Sequence, residues 1–385
     1  MKLLCLCSTL DLTYRYGCTP SWWQFFKGLY ELGHDVIAVP YQGKAIESPW
    51  WRVYPNPCEL EGNAFSKVKS FLSGRATSTA EGIGGSITKT AIESWIRPRW
   101  ESHISTILDK ERDVAAVIVF TIPLNHFSGI PTRLRDRFHT PFFYYDGDVP
   151  ASLPRFGGYA SGFKIYEGGD LSEYDGVLCN SEGGAKELLA MGAKRVETVF
   201  WGVDPDLYRA LPLEPDRDVF FYGLGKEYRK TWIETMLVNP SRTMPDVSFV
   251  SGGKGLDEGM GGVKSIGEIP SNRLRVECAR SRINLNIARE AHAGVFASSS
   301  TRLFELAALE CCIVSNPCAG MDRWFDPDKE LIVVNSEEEA ISAYRRLLGD
   351  AELRKSLGDS ARKRVLEQHT HRHRAEQIAR FVQSG

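Results

Sequence analysis

Ser298-Ser299-Ser300-Thr301-Arg302-Leu303-Phe304-Glu305 is the stretch whose residue types and spacing say most about chemistry. Three serines and a threonine precede an apolar, small-residue run (Leu303, Phe304, Leu306, Ala307, Ala308), the pattern of a helix start. First-turn N–H groups and the positive end of the dipole make such a terminus a place for phosphate. Glu305 stands one turn beyond Thr301 on nearly the same face. A diphosphate at the helix start would place an attached ribose about one turn along, where a carboxylate accepts both ribose hydroxyl protons. Ser299, Ser300, Thr301, Arg302 and Glu305 are the candidates for this work. The plainer alternative is a capped helix whose acid complements its own dipole.

A second cluster strengthens the anion reading. The apolar run Val219–Tyr222 leads into Gly223-Leu224-Gly225-Lys226-Glu227-Tyr228-Arg229-Lys230. Gly223 and Gly225 permit close backbone approach. Lys226, Arg229 and Lys230 bring three cations to the start of the next helix, where they oppose the dipole unless an anion is present. Together the two clusters favour a nucleoside diphosphate, with Lys226, Arg229 and the 299–302 helix start stabilising a departing diphosphate. Ile269, in the apolar loop Gly267-Glu268-Ile269-Pro270, is a candidate to read a base edge. Arg289 follows a strand end and is expected to face a cleft.

Other candidates lie in the first half. Asp146-Gly147-Asp148 has the D-x-D pattern that can hold a divalent ion, but it stands in the half without the phosphate signals. No metal site is assigned; Asp146 or Asp148 is read as a possible base or acceptor-binding carboxylate, against an Asx turn before Val149-Pro150. His126, in Thr121-Ile-Pro-Leu-Asn-His126, is a third candidate to take an acceptor proton. Tyr14, Tyr16 and Gly17 occupy the first loop and are candidates to meet an acceptor. His369, His371 and His373 read as an exposed basic helix. Trp22, Trp23, Phe25 and Phe26 read as core.

The elements that must position these residues alternate strand and helix. Strands are predicted at 2–7, 35–39, 115–120, 142–145, 176–180 and 196–200, and again at 219–222, 247–251, 283–287, 313–315 and 331–334. Helices are predicted at 21–32, 91–108 (bent around Pro98), 182–191, 227–237, 272–279 and 300–309. The end, 337–382, reads as helical with breaks near Gly349 and Gly358. Residues 59–89, with Gly82, Gly84 and Gly85, read as a mobile loop near a site. Two α/β halves result: 1–205, a linker at 206–217 within the proline-rich stretch 204–218, 218–365, and a C-terminal helix at 366–385. The expected fold is two Rossmann-like domains facing a cleft, with chemistry at the carboxyl ends of strands.

Composition narrows the classes. With 385 residues, 43% hydrophobic and 25% charged, the chain suits a globular protein of two domains. A formal net charge of −2 gives no global pull toward nucleic acid. The start has only five apolar residues in a row, too few for a secretory signal, and no run approaches a membrane span. Cytoplasmic location without stable membrane insertion is expected. The nine cysteines form no C-x-x-C pair and read as buried, reduced thiols.

Residues 198–208, ending Gly202-Val203-Asp204-Pro205-Asp206-Leu207-Tyr208, resemble the G-V-D-x-x-x-[FY] segment that closes the N-terminal domain of family-4 glycosyltransferases. Residues 301–315 and 320–330 resemble the donor-binding segment of the CgeB-like subgroup, and 218–237 its first C-terminal strand and helix. The resemblance covers about 170–380, with the first 150 residues matching in architecture alone. It implies a GT-B fold, a nucleoside-diphosphate sugar bound by the C-terminal domain as co-substrate, and transfer with no obligate metal or other cofactor. Retaining members carry an E-x7-E pair. Glu305 fills the second position; the first is Ala297, which removes the residue that in the family touches the donor sugar.

The expected activity is therefore transfer of a sugar from a uridine- or thymidine-type donor, with retention favoured over inversion. The acceptor is open among carbohydrate, small molecule and nucleic acid, and oligomeric state is undetermined. The alternatives are a nucleotide-sugar epimerase of the same fold and a non-catalytic two-lobed binding protein.

Overall fold

The computed structural model describes residues 1–11, 21–59, 92–160, 163–225, 229–256 and 259–384. The expected contributions of Tyr14, Tyr16, Gly17 and Lys226, and the loop expected at 59–89 beyond its first residue, lie outside the described residues.

The chain divides into two units. One comprises 1–179, 185–199 and 375–385; the other comprises 180–184 and 200–374. In the first unit the strands are β1 (Lys2–Thr9), β2 (Asp35–Gln42), β3 (Arg52–Val53), β4 (Val114–Phe120), β5 (Phe142–Asp146), the short hairpin β6 (Tyr159–Ala160) and β7 (Phe163–Lys164), β8 (Gly176–Cys179) and β9 (Val196–Thr198). All but the hairpin form one parallel sheet in the order β3-β2-β1-β4-β5-β8-β9. Its strands read as unbroken apolar runs because helices cover both faces: seven of the eight residues of β1 are buried. Helix α1 (Ser21–Glu31) contributes Trp22, Phe25 and Phe26 to the interior, as their apolar type predicts, with Trp23 half-buried. The helix expected to bend at Pro98 begins instead with a π-helical turn, Ile92–Ile96. Pro98 falls just past the join to α2 (Arg97–Glu111), where Ile96 is itself helical, so the helical backbone runs on through the proline.

The second unit repeats the design with β10 (Arg217–Tyr222), β11 (Phe249–Gly252), β12 (Lys264–Ser265), β13 (Ser281–Asn286), β14 (Ile313–Ser315) and β15 (Ile332–Val333). These strands run parallel in the order β12-β11-β10-β13-β14-β15. That is the doubly wound Rossmann order, and its direction reverses between β10 and β13, the place where such sheets bind ligands. The terminal helices are Glu337–Gly349, Ala351–Gln368 and His371–Gln383.

Two sequence expectations fail here. Gly358 does not end a helix: it lies inside Ala351–Gln368, where any Cβ would collide with the carbonyl oxygen of Glu310. His369 and His371 are not exposed; both are buried, and burial with the nearby Arg374 lowers each pKa to about 3. The chain docks there: Val203 N–H donates to His369 O (3.1 Å) and His371 N–H to Val203 O (2.9 Å). Among the described residues no helix is long and apolar enough to cross a membrane.

Candidate functional site

The crevice between the ends of β10 and β13 is bridged by one side chain. Arg229 Nε donates to Ile287 O (2.7 Å), just past β13, and Nη1 to Leu224 O (3.4 Å), just past β10. Lys230, exposed, opens the short helix Lys230–Ile233, which continues as a π turn to Val238. Gly223 and Gly225 serve a need that sequence reading assigned to a ligand. Gly223 N–H donates to Gly252 O (2.9 Å) and Gly225 N–H to Lys254 O (2.8 Å), so the loop after β10 lies against the loop after β11. A Cβ at Gly225 would strike Gly255 O, and one at Gly253 would strike Gly223 O. The close approach is chain to chain. Ile269 is half-buried, and its side chain covers Gly252 at the end of β11.

The helix predicted from the serine run is Thr301–Ala308, here α3. Ser300 is its N-cap in extended conformation, and its hydroxyl makes no capping hydrogen bond. Ser299, fully buried, is used internally: its N–H donates to Asn180 O (3.0 Å), its Oγ accepts from Trp201 N–H (2.8 Å), and its carbonyl accepts from Asn180 Nδ2 (2.8 Å). Ser298 Oγ meets Ser181 Oγ at 2.6 Å. These bonds fix the loop that delivers the first turn of α3.

Arg302 and Glu305 follow on that helix and line one pocket with Phe220, Tyr222, Leu274 and Cys278. The Arg302 guanidinium lies over the Tyr222 ring, 4.7 Å from its centre. Arg302 Nη1 is buried without a hydrogen-bond partner. Glu305 is 3% exposed. Its Oε1 is buried with no hydrogen-bond partner. Burial pushes the Glu305 carboxyl up, opposed by the charge of Arg302 and by the neighbouring Tyr208 hydroxyl. Sequence reasoning missed Tyr208; the available signal was its place as the last residue of the Gly202–Tyr208 segment.

Just before α3, Ala297 has φ 46° and is fully buried. Gly320 packs on it so closely that a Cβ there would lie 2.8 Å from Ala297 N. The position where the family pattern carries its first glutamate is thus a fully buried alanine packed against Gly320. Arg289 is the N-cap of Glu290–Gly294, and the following His292 is buried, its pKa well below the usual range through burial and the charges of Arg289 and Arg229.

In the first unit two of the three candidate bases, Asp146 and His126, are internal. Asp146 is fully buried: Oδ2 accepts from Ser152 Oγ and Tyr166 OH, both at 2.5 Å, and Oδ1 from Asp148 N–H (2.9 Å). Burial nevertheless raises its pKa to about 6. The bond from Asp148 N–H is the Asx turn weighed above, and Asp148 itself is half-buried. His126 is buried, shares a hydrogen bond with the Tyr41 hydroxyl, and has its pKa lowered to about 4 by burial and by Arg97. Among the described residues no three His, Cys, Asp or Glu side chains gather to hold a metal ion.

Two Rossmann-like units built this way define the GT-B architecture, and the comparisons agree. Residues 229–380 match a family profile described as glycosyl transferase-like. No curated protein matches the chain. Sucrose-phosphate synthase from Thermosynechococcus elongatus has a similar structure, with a TM-score of 0.67 and 13% identity over 100% of this chain and 99% of that one. A glycosyltransferase from Rickettsia africae gives 0.61 and 11%, over 100% and 98%. Anabaena HepE in complex with UDP and glucose gives 0.61 and 10%, over 100% of both chains. At these identities the likeness is one of fold.

Proposed function

We propose that the protein is a glycosyltransferase that moves a sugar from a uridine- or thymidine-diphosphate donor to an acceptor hydroxyl. One observation carries this reading: the uncapped first turn of α3 is followed by a half-buried arginine with a buried Nη1 and by a buried carboxylate, each with one buried atom left unpartnered. Unpaired buried polar atoms cost roughly 1–3 kcal/mol each, so a site that keeps two is built for something absent. A diphosphate matches the first, with the N–H groups of α3, Arg302, Arg229 and Lys230 as its cradle. A ribose diol matches the second. The glycosyl transferase-like profile over 229–380 and the UDP carried by HepE support the same donor class.

In this reading the cradle stabilises the diphosphate as the glycosidic C–O bond breaks, and no metal is needed for that charge. Asp146 and His126 face internal partners, which leaves half-buried Asp148 or the departing diphosphate itself to take the acceptor proton; with the diphosphate in that role, configuration is retained. The likeness of 301–330 to the CgeB-like subgroup belongs to this proposal.

A thermal-shift screen over nucleoside diphosphates tests it. UDP or dTDP should raise the melting temperature, since a ligand bound only by the native state stabilises it by mass action. A flat response across all of them rejects the donor assignment.

A further inference from the structure

Arg302 and Glu305 share their pocket with a buried amide, Asn284. It stands on β13, two residues before the end of that strand, with Phe220 of β10 and Ile313 of β14 as its register partners on either side. An interior position of a covered parallel sheet ordinarily takes an apolar, β-branched residue. Asn284 is nevertheless 1% exposed. Its N–H donates to Cys312 O (2.9 Å), and its Nδ2 donates to Cys278 O (3.2 Å). A carbonyl only accepts, so the bond to Cys278 O settles which arm of the amide is the nitrogen. The other arm, Oδ1, is buried with no hydrogen-bond partner among the described residues.

The pocket therefore holds two buried acceptors, Asn284 Oδ1 and Glu305 Oε1, and one buried donor, Arg302 Nη1, all unpartnered. A ligand that completes it must bring two protons and a lone pair. The vicinal diol of a ribose brings two O–H groups, and its oxygens keep lone pairs for the guanidinium. A deoxyribose brings one O–H fewer and leaves one buried acceptor unpaired. Phe220, Leu274 and Leu306 line the pocket beside these groups, so they offer no proton in place of the missing one.

We propose that Asn284 determines specificity for the sugar of the nucleoside: the diol placed on Glu305 Oε1 reaches Asn284 Oδ1 with its second hydroxyl, and the site takes ribonucleoside diphosphates in preference to deoxyribonucleoside diphosphates. This inference rests on the donor site proposed above and narrows its uridine and thymidine types to the first.

The test is calorimetric titration of the full chain near pH 8 with UDP, 2′-deoxy-UDP and 3′-deoxy-UDP. The native protein should bind UDP about tenfold or more tighter than either deoxynucleotide, since each leaves one buried acceptor unpaired. Asn284→Leu, which fills the volume without an acceptor, should weaken UDP binding about tenfold and abolish the preference for one hydroxyl while the preference carried by Glu305 persists. Equal weakening toward all three nucleotides, with both preferences intact, overturns the role, since that is what altered packing or a water trapped between Asn284 and Glu305 would give. Should Asn284→Leu not fold, Asn284→Ala puts the same question with less volume, and the native protein alone also decides: indifference to either hydroxyl overturns the role of Asn284 while the donor site stands. Failure of the native protein to bind UDP at all rejects the donor site, and the role of Asn284 falls with it.

Discussion

Arg302 and Glu305 stand about one turn apart on α3, and each keeps one buried atom, Nη1 and Oε1, without a hydrogen-bond partner. The same short helix begins with an N-cap serine whose hydroxyl leaves the first turn uncapped. Cation, dipole end and carboxylate thus occur in the order that phosphate and ribose require.

Glu305→Ala should weaken donor binding by about 1.5–3 kcal/mol, the range for hydrogen bonds to a charged group. Calorimetry with UDP near pH 8 reads this directly. Unchanged affinity would move the ribose contact elsewhere.

Arg229 has two tasks, so Arg229→Ala should show two effects. Loss of a preorganised donor should lower turnover about 100-fold. Loss of the bonds to Ile287 O and Leu224 O should lower stability by about 1–2 kcal/mol. Steady-state rates and urea unfolding separate them; normal turnover in a destabilised variant would leave Arg229 with the structural task alone.

Ala297 holds a left-handed φ of 46° in a fully buried position. Ala297→Gly should raise stability by about 0.5–1 kcal/mol by relieving that backbone cost. Gly320→Ala should lower it by more, because the new Cβ would press on Ala297 N at 2.8 Å while φ stays at 79°. Urea midpoints for both variants check the pair, and the opposite order would show that the loop relaxes freely.

The first unit carries a pH dependence of its own. Burial raises the Asp146 pKa to about 6, above the ordinary Asp value near 3.9. The folded state therefore binds the proton more tightly than the unfolded state. That contribution is present at low pH and is lost as pH rises from about 4 to about 6, an effect of about 2–3 kcal/mol. Native protein compared with Asp146→Asn by urea unfolding at several pH values should show this loss in the native protein alone. Parallel profiles would mean that the carboxylate is fully compensated by Ser152, Tyr166 and Asp148 N–H.

Strand positions were readable because a parallel sheet covered on both faces needs continuous apolar runs, and β1, β4 and the Val219–Tyr222 part of β10 have them, whereas β13 alternates Ile283 and Leu285 with Asn284 and Asn286. Helix α3 was readable from its serine cap and small apolar residues. Gly358 was misread as a stop because glycine inside a helix and glycine after one look alike; only the contact with Glu310 distinguishes them. His369 and His371 sit among charged neighbours in sequence, so their burial against the Val203 segment is a tertiary fact with no local signal. The glycines after β10 pointed to close approach, yet not to the second loop that approaches them. Tyr208 and Glu305 lie 97 positions apart, a separation at which no periodicity links two residues.

A crystal structure of the protein with UDP tests the central claim most directly. The account predicts the diphosphate on the first turn of α3 beside Arg302 and Arg229, with the ribose hydroxyls on Glu305 Oε1. Nucleotide bound at the ends of β1 and β4, with Oε1 still unpartnered, would contradict it.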